Sequence, residues 1–382
     1  MSERREPWIA GAVAFALFAL SAHGRHTPYD NYVRLADAFL HGHVWIDWPG
    51  AWIDALRHHG AYYVIEAPLP AILLMPAVAL FGLSTNQTTL ALLLGAAAVA
   101  AAGALAIRLE VPRTPRWWLL AFYAAGTDLW WCSQLGDVWM LAHVCAVCFT
   151  TLALAELAGR RRGWLVAALG ACAALSRFSL VLALPLYALA LVRAQDRRRA
   201  LAGFAAAIVP FAAFWLWYNQ ARWGTFADIG YTAWFHQDQA GSPVGSPFAL
   251  RYLGYELWSF FAQAPALVPH APWIVPSLSG VALTWTSPAL VFALWARRPR
   301  AEVIWLWAQT ALVAGPSMLY YVNGFAQYGM RHALDFEPYL FALMALAARR
   351  GLPVWTRVLI VWSVAAGLYG IWYWNAIVRA GG

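Results

Sequence analysis

Apolar runs separated by short polar segments recur along the whole chain. A helix needs about 20 apolar residues to cross a bilayer. The pattern predicts an all-α fold, a polytopic transmembrane helical bundle of about 11 spans forming one integral membrane domain, residues 1–382. The predicted spans are 8–22, 87–107, 117–133, 139–158, 163–176, 179–193, 200–218, 273–296, 301–321, 337–349 and 353–374.

One apolar segment, from Pro68 to Leu83, is only about 15 residues long and contains three prolines. A run of that length is typical of an interfacial or re-entrant helix rather than a span. Counting it as a span would place the Arg160–Arg162 cluster outside the cytoplasm. Leaving it within the first outer loop places every Arg cluster inside, as the positive-inside rule requires.

The distribution of charge sets the predicted orientation. All 26 basic residues are Arg, and most stand in clusters between apolar runs, at 160–162, 197–199, 297–300 and 349–350. These clusters predict cytoplasmic loops, a cytoplasmic N-terminus and an outer C-terminus. The predicted outer loops are then 23–86, 219–272 and 322–336, and the first of them carries interfacial helices.

The composition agrees with a membrane protein. Of the 382 residues, 62% are hydrophobic and 12% are charged, and the mean hydropathy is +0.56. A soluble domain of this length is less apolar and about twice as charged. Because the net charge of +8 follows from the loop clusters, no nucleic-acid partner is expected. The first apolar run lacks a small-residue cleavage pattern and is predicted to be a retained span.

The first outer loop opens with Thr27-Pro28-Tyr29-Asp30 and continues as a helical pattern. Apolar residues fall on one face of this helix, at positions 32, 35, 36, 39 and 40, and polar residues on the other, at 30, 34 and 37. The pattern predicts a helix lying on the outer membrane surface with its apolar face toward the lipid. Asp30 is either the third residue of a capping box begun by Thr27 or a catalytic carboxylate, and the two roles are compatible.

Further candidate groups lie near the ends of the predicted helices. Glu66 precedes the short apolar helix and is either a solvated loop acid or a functional carboxylate. Asp137 follows the third span, and His143 lies about one turn into the next helix. Asp128 lies deeper, and ionisable groups at membrane depth usually face a cavity or a partner. A structural pairing of Asp128 with His143 or with an Arg is the alternative to a functional role.

Two outer segments carry arginine against the positive-inside trend. Arg177, at a tight outer turn, either extends its guanidinium to lipid headgroups or holds a phosphate. The last outer loop holds Arg331, His332 and Asp335 within about one helical turn. An ion pair between Arg331 and Asp335, four residues apart, is the structural alternative to a substrate site there.

Taken together, these motifs resemble the polytopic GT-C glycosyltransferases, which include bacterial aminoarabinose transferases and protein O-mannosyltransferases. Asp30-Asn31 stands where many of those enzymes carry two acids, and Asp137 is similar to their second outer-loop acid. The other segments that carry the resemblance are Tyr62-Tyr63 with Glu66 to Pro70, Phe81-Gly82, Tyr218 to Gly224 with Gly230-Tyr231, and Gly329 to Pro338.

The resemblance implies a glycosyltransferase of the bacterial inner membrane with an extracytoplasmic active site. Its donor would be a sugar on a polyprenyl phosphate, drawn from the lipid bilayer. Its acceptor would be a hydroxyl of a glycan, lipid or protein, which attacks the anomeric carbon in one inverting displacement. Asp30 would act as the general base.

The same resemblance assigns the remaining polar groups to substrate binding. Arg331, assisted by Arg177 or His332, would stabilise the phosphate charge that develops on the leaving group. The expected substrate-binding residues are Glu66, Asp137, His143, Arg177, Arg331, His332 and Asp335. Use of a cofactor is left open, because oxygen ligands from Asp30 and Asp137 would suit Mg²⁺ or Mn²⁺.

The alternative function is a transporter or flippase of a lipid-linked sugar; another lipid-linked polymer enzyme and a non-catalytic assembly subunit are further alternatives. Transporters usually carry charged or broken helices near the bilayer midplane. Most acids and arginines here stand at predicted helix ends, and Asp128 is the main exception. The large outer loops favour an enzyme that works on one side of the membrane.

Overall fold

The computed structural model of the protein describes residues 3–238 and 245–378, so segment 239–244 of the predicted second outer loop lies outside the described residues. The fold is mostly helical, with 69% helix and 4% strand. The α-helices are α1 Glu6–Ala22, α2 Asn31–Leu40, α3 Leu69–Phe81, α4 Gln87–Arg108, α5 Arg113–Ala125, α6 Leu129–Leu135, α7 Val138–Ala158, α8 Gly163–Ala174, α9 Leu184–Leu191, α10 Arg197–Trp223, α11 Gly230–Asp238, α12 Leu253–Phe261, α13 Leu283–Thr286, α14 Arg300–Met318, α15 Glu337–Ala348 and α16 Val354–Tyr373.

Shorter elements connect these helices. The 3-10 helices are Glu3–Arg5, Gly82–Ser84, Phe178–Ala183, Leu250–Tyr252, Pro288–Trp295 and Arg331–Asp335, and a π-helical turn, Trp374–Val378, follows α16. There are two antiparallel hairpins, one in the predicted first outer loop and one that joins the predicted second outer loop to the start of the segment predicted as a span at 273–296. The first pairs β1 Leu56–His58 with β2 Ala61–Tyr63, and the second pairs β3 Ala266–Leu267 with β4 Ile274–Val275.

Four helices of the described residues are long and apolar enough to cross a membrane: α4, α7, α10 and the helix Val354–Val378 that contains α16. All four coincide with predicted spans. Several other predicted spans correspond to shorter apolar helices, such as α8 and α15. The structure therefore contains membrane-compatible helices, and the larger total of about 11 spans remains a prediction.

Two of the predicted spans are interrupted in the structure. The span predicted at 117–133 is divided into α5 and α6, because the Thr127 hydroxyl takes the place of backbone partners: it donates to Tyr123 O at 2.9 Å and accepts from Leu129 N at 3.2 Å. The segment predicted at 273–296 begins with β4 and is helical only from Leu283. A break at Ser287 separates α13 from the 3-10 helix that Pro288 begins, since proline disfavours a helical residue before it.

The helix predicted after Asp30 is present as α2, but its apolar face does not lie on the membrane. Tyr32, Leu35 and Ala36 are fully buried, in a cluster with apolar residues of α3 and α7. The short apolar helix predicted after Pro68 is α3, which packs against α2 and is tied by Leu69 N to Leu175 O at 2.9 Å. The first outer loop is thus folded onto the bundle, because its helices bury each other's apolar faces.

The ion pairs of the described residues fall at the two ends of the bundle. At one end, which we call the Arg-rich end, Arg116 pairs with Glu6 at 2.7 Å and Arg162 pairs with Glu156 at 2.9 Å. At the other, the loop end, lie the ion pairs of the predicted outer loops, such as Arg177 with Asp335. Each ion pair joins two residues predicted to lie on the same side of the bilayer.

Candidate functional site

A buried carboxylate, Asp335, organises the polar groups at the loop end. One of its oxygens lies 2.7 Å from His143 Nδ1. The other accepts hydrogen bonds from Arg177 Nε at 3.1 Å and from the Ser179 hydroxyl at 3.2 Å. Burial alone would raise the pKa of Asp335, but the charge of Arg177 and the contact with His143 hold that pKa well below its usual range. Asp335 is therefore an anion, and it compensates the charge of the partly buried Arg177.

These contacts correct two of the structural alternatives drawn from the sequence. Among the ion pairs of the described residues, the partners of Asp335 are His143 and Arg177, and not Arg331 four residues earlier. The reason is that Arg331–Asp335 is a 3-10 helix, which lacks the i, i+4 geometry of an α-helical ion pair. His143 likewise contacts Asp335 instead of Asp128, so the pairing considered for Asp128 and His143 is wrong.

Arg331 is a buried guanidinium with unused hydrogen-bonding capacity. Its Nη1 donates to Phe325 O at 3.1 Å and to Gln327 Oε1 at 3.0 Å, whereas its Nε has no partner among the described residues. Burial lowers the pKa of Arg331 to about 10, so that the side chain is still a cation at neutral pH. A buried cation with a free N–H group is a potential donor to an anionic ligand.

His332 stands beside the same group with its ring 5.3 Å from that of His143. Its Nδ1 has no hydrogen-bond partner in the described part of the chain. Burial and the neighbouring cations Arg177 and Arg331 keep the pKa of His332 well below its usual value. The imidazole is therefore neutral at pH 7 and adds no positive charge.

Glu66 enters the group from the first outer loop, just after β2. It is 4% exposed, and its Oε2 atom has no hydrogen-bond partner in the region described. Burial raises the pKa of Glu66 to about 7, because its own backbone hydrogen bond and the charges of Arg177 and Arg331 offset only part of the loss of hydration. A carboxyl with a pKa near neutrality accepts and releases a proton readily at physiological pH.

The structure thus brings together six of the predicted site residues, which we call the polar cluster: Glu66, His143, Arg177, Arg331, His332 and Asp335. They come from four separated stretches of the chain, of which one is the helix α7, one is the 3-10 helix Arg331–Asp335 and two are loop segments. Two arginines face one ionised acid and one acid that is close to half ionised at pH 7. The cluster suits an anionic ligand that approaches the free N–H of Arg331.

Three tyrosines around the cluster were missed by the sequence analysis as site residues. Tyr32 of α2 is fully buried, its hydroxyl has no partner in the described part of the chain, and it interacts electrostatically with Glu66 and Arg177. Tyr231 interacts with the same two groups, and burial raises its pKa to about 12. Tyr320 has a ring 6.5 Å from that of His332. Gly230-Tyr231 was already part of the resemblance, whereas the other two carry no distinctive spacing.

Asp30 and Asp137 are held by other contacts. Asp30 Oδ1 accepts a hydrogen bond from Arg34 Nε at 2.8 Å, and Asp137 accepts one from the Thr27 hydroxyl. The predicted capping box is wrong, because α2 begins at Asn31 with Asp30 itself as N-cap residue, and no side-chain capping bond forms. Instead, Thr27 Oγ1 accepts from Tyr29 N at 3.0 Å.

In the described ranges, no group of three or more His, Cys, Asp and Glu side chains has the arrangement of a metal site. Comparison with known proteins gives no match to a family model, a curated protein or a solved structure. The proposal that follows therefore rests on the residues of this chain and on their geometry.

Proposed function

We propose that this protein is an extracytoplasmic GT-C-type glycosyltransferase of the bacterial inner membrane, which moves a sugar from a polyprenyl-phosphate donor to a hydroxyl acceptor. The observation that carries the proposal is the polar cluster. It combines a buried arginine with a free N–H group and a buried carboxyl whose pKa is about 7. Such a pair supplies the two things that the transfer needs, namely positive charge for the leaving phosphate and a proton acceptor.

The arginines serve the phosphate in this proposal. Asp335 compensates the charge of Arg177, whereas the hydrogen bonds of Arg331 within the described residues go to the neutral oxygens of Phe325 and Gln327. A guanidinium presents N–H donors in a planar arrangement that matches phosphate oxygens. As the bond between the anomeric carbon and the phosphate oxygen breaks, the polyprenyl phosphate leaves as an anion, and Arg331 stabilises the charge on it.

Glu66 is the general base favoured by the geometry. The acceptor hydroxyl attacks the anomeric carbon with inversion, and its proton passes to the carboxylate of Glu66. Asp30, the base expected from the resemblance, forms an ion pair with Arg34, whose Nε occupies the Oδ1 atom of Asp30 at 2.8 Å. Glu66 is buried, its Oε2 has no partner among the described residues, and its pKa is about 7, so its carboxylate can accept the proton.

The orientation of the protein in this proposal follows the positive-inside rule, with the Arg-rich end in the cytoplasm and the loop end outside. The grouping of ion pairs at the two ends is consistent with the predicted division of the loops between two sides, since no pair of the described residues mixes those sides. The polar cluster then lies where a donor in the outer leaflet can reach it. The acceptor is a glycan, lipid or protein hydroxyl on the same side.

The proposal is tested with purified protein in detergent, radiolabelled polyprenyl-phosphate sugars and a membrane extract from cells lacking the protein as the source of acceptor. We expect consumption of donor by the wild type and loss of turnover in Glu66→Gln with donor binding retained. Arg331→Ala should weaken donor binding. If Asp30→Asn abolishes turnover while Glu66→Gln does not, the base is Asp30, and if no donor is consumed, the enzyme proposal fails.

One observation favours the alternative function, a transporter or flippase of a lipid-linked sugar. Asp128 is buried within a predicted span and Glu337 is buried at the outer end of another, and both carboxylate oxygens of Glu337 lack a partner among the described residues. Buried acids inside a bundle often belong to ion or proton pathways. Strict dependence of sugar movement on sealed vesicles would support transport, whereas turnover in detergent supports the enzyme.

A further inference from the structure

A groove lies between α1 and α16 at the loop end, away from the residues of the polar cluster. It has a volume of about 360 Å³ and is lined by Ser21, His23, Arg25, Leu368, Ile371, Trp372, Asn375 and Ala376. Its lining is divided by chemistry. Leu368 and Trp372, which are 57% and 45% exposed, belong to α16, and the polar residues Arg25 and Asn375 stand at the ends of the two helices.

The guanidinium of Arg25 is the positive charge in this groove, and a neutral side chain holds it in place. Arg25 Nη1 donates to Asn375 Oδ1 at 3.2 Å. Asn375 is fixed in turn, because its Nδ2 donates to Ser21 O at 3.1 Å and to Gln134 Oε1 at 3.3 Å. Among the described residues, Arg25 has no ion pair, and no residue lining the groove is acidic. The guanidinium is therefore positioned and keeps its charge available for an anion.

The residues beside Arg25 favour an amphiphilic ligand over a free anion. The groove continues from Arg25 and His23 along the exposed apolar side chains of α16, a helix long and apolar enough to cross a membrane. In a membrane protein an exposed apolar helix face is in contact with acyl chains, and arginines at helix ends meet the headgroups. A lipid whose phosphate lies at Arg25 would thus place its acyl chain against Leu368 and Trp372.

We propose that this groove binds an anionic phospholipid of the outer leaflet, with the lipid phosphate on Arg25 and His23 and an acyl chain along α16. The occupant is a bilayer phospholipid rather than the polyprenyl-phosphate donor, because the groove and the polar cluster share no residue. Bound lipid would hold the outer ends of α1 and α16 together. The proposal is independent of the glycosyltransferase activity and requires only that the loop end lies at a membrane surface.

The test measures thermal unfolding of delipidated protein in detergent with added phosphatidylglycerol. We expect a stabilising shift in wild type, with an apparent affinity about tenfold weaker in Arg25→Gln, because a hydrogen bond to a charged group is lost. Arg57→Gln is the matched control, since Arg57 is an exposed arginine of the same outer loop whose side chain has no ion pair in the described residues. Ala376→Phe, which fills the groove and keeps Arg25, should also weaken the shift.

Three outcomes would overturn the proposal. The first is an equal phosphatidylglycerol shift in wild type, Arg25→Gln and Ala376→Phe. The second is an equal shift of wild type with inorganic phosphate, which would identify a site for free anions. The third is a larger shift with polyprenyl phosphate that Arg25→Gln removes, which would assign the groove to the substrate lipid. Native mass spectrometry that finds co-purified phosphatidylglycerol in wild type and Arg57→Gln, but not in Arg25→Gln, would support it.

Discussion

Near pH 7 the buried carboxyl of Glu66 is close to half ionised, because burial raises its pKa to about 7. If Glu66 takes the acceptor proton, the rate constant kcat/KM should rise as the pH increases through about 7 and then level off. The measurement is the pH profile of donor consumption by wild type from pH 5 to 9. Glu66→Gln should lose the rising limb along with most of the activity. A limb near pH 7 that persists in Glu66→Gln would assign the titration to another group.

The same carboxyl should also affect stability with pH. The folded-state pKa of Glu66 is raised from 4.5 to about 7, so the native state favours the protonated form. The stabilisation relative to Glu66→Gln is therefore complete below pH 4.5 and is lost as the pH rises through about 7. A shift of this size corresponds to about 3 kcal/mol. Thermal unfolding of both proteins at pH 5 and pH 8 measures the difference, and an unchanged difference would contradict the buried position of Glu66.

Asp335 should stabilise the folded protein in its ionised form, in contrast to Glu66, because the pKa of Asp335 is held below its usual range. Asp335→Asn leaves the partly buried Arg177 without its carboxylate, which should lower the free energy of unfolding by about 3 kcal/mol. The measurement is thermal unfolding in detergent. Asp47→Asn serves as control, because Asp47 is exposed and has no ion pair among the described residues. Equal unfolding temperatures for the two variants would show that Arg177 does not depend on Asp335.

At the level of single residues, the sequence identified all six members of the polar cluster but not how they pair. Arg177, Arg331 and Asp335 stood out because they are ionisable groups beside apolar runs. The sequence could not show that Asp335 pairs with Arg177, which lies 158 positions away. Sequence proximity favoured an ion pair between Arg331 and Asp335, but these residues form a 3-10 helix, in which side chains four positions apart do not face each other.

Among the helices, the contact between α8 and α10 depends on a glycine. A Cβ atom at Gly163 would overlap the backbone carbonyl of Ala200, so that only glycine allows the two helices to approach this closely. Gly163→Ala should therefore separate α8 from α10 and lower the free energy of unfolding by about 1–3 kcal/mol, measured by thermal unfolding in detergent.

The matched control for this substitution is Gly315→Ala in α14. A Cβ atom at Gly315 meets no atom within 4 Å, and alanine favours helix over glycine. The control should leave stability unchanged or raise it slightly. Unfolding of Gly163→Ala at or above the temperature of Gly315→Ala would mean that α8 and α10 do not pack as closely as the structure has them.

The positions of the helices were predicted better than their continuity. Apolar length alone located α4, α7, α10 and α16, because length and hydropathy are the properties that a span requires. It could not locate the break at Thr127, which depends on a hydroxyl bonding to the backbone on both sides. It also placed the apolar face of α2 on the membrane, since a pattern cannot distinguish lipid from the apolar surfaces of α3 and α7 as a partner.

For the molecule as a whole, the functional proposal depends on which side of the membrane the loop end occupies. Positive charge in the predicted inner loops predicts that the first outer loop lies outside the cytoplasm. The two-ended grouping of ion pairs agrees with the predicted division of the loops between two sides of the membrane. Single introduced cysteines can test this with little background, because three of the four native cysteines, Cys132, Cys145 and Cys148, are buried.

We chose Ala51→Cys for the loop end and Gln195→Cys for the Arg-rich end, because both positions are exposed and uncharged and so leave the charge pattern intact. In intact spheroplasts, a membrane-impermeant maleimide should label Ala51→Cys, whereas Gln195→Cys should react only after the membrane is permeabilised. The reversed pattern would place the polar cluster in the cytoplasm, where an outer-leaflet donor does not reach it. Labelling of both positions in detergent confirms that each cysteine is accessible, so that a failure to react in spheroplasts reports sidedness alone.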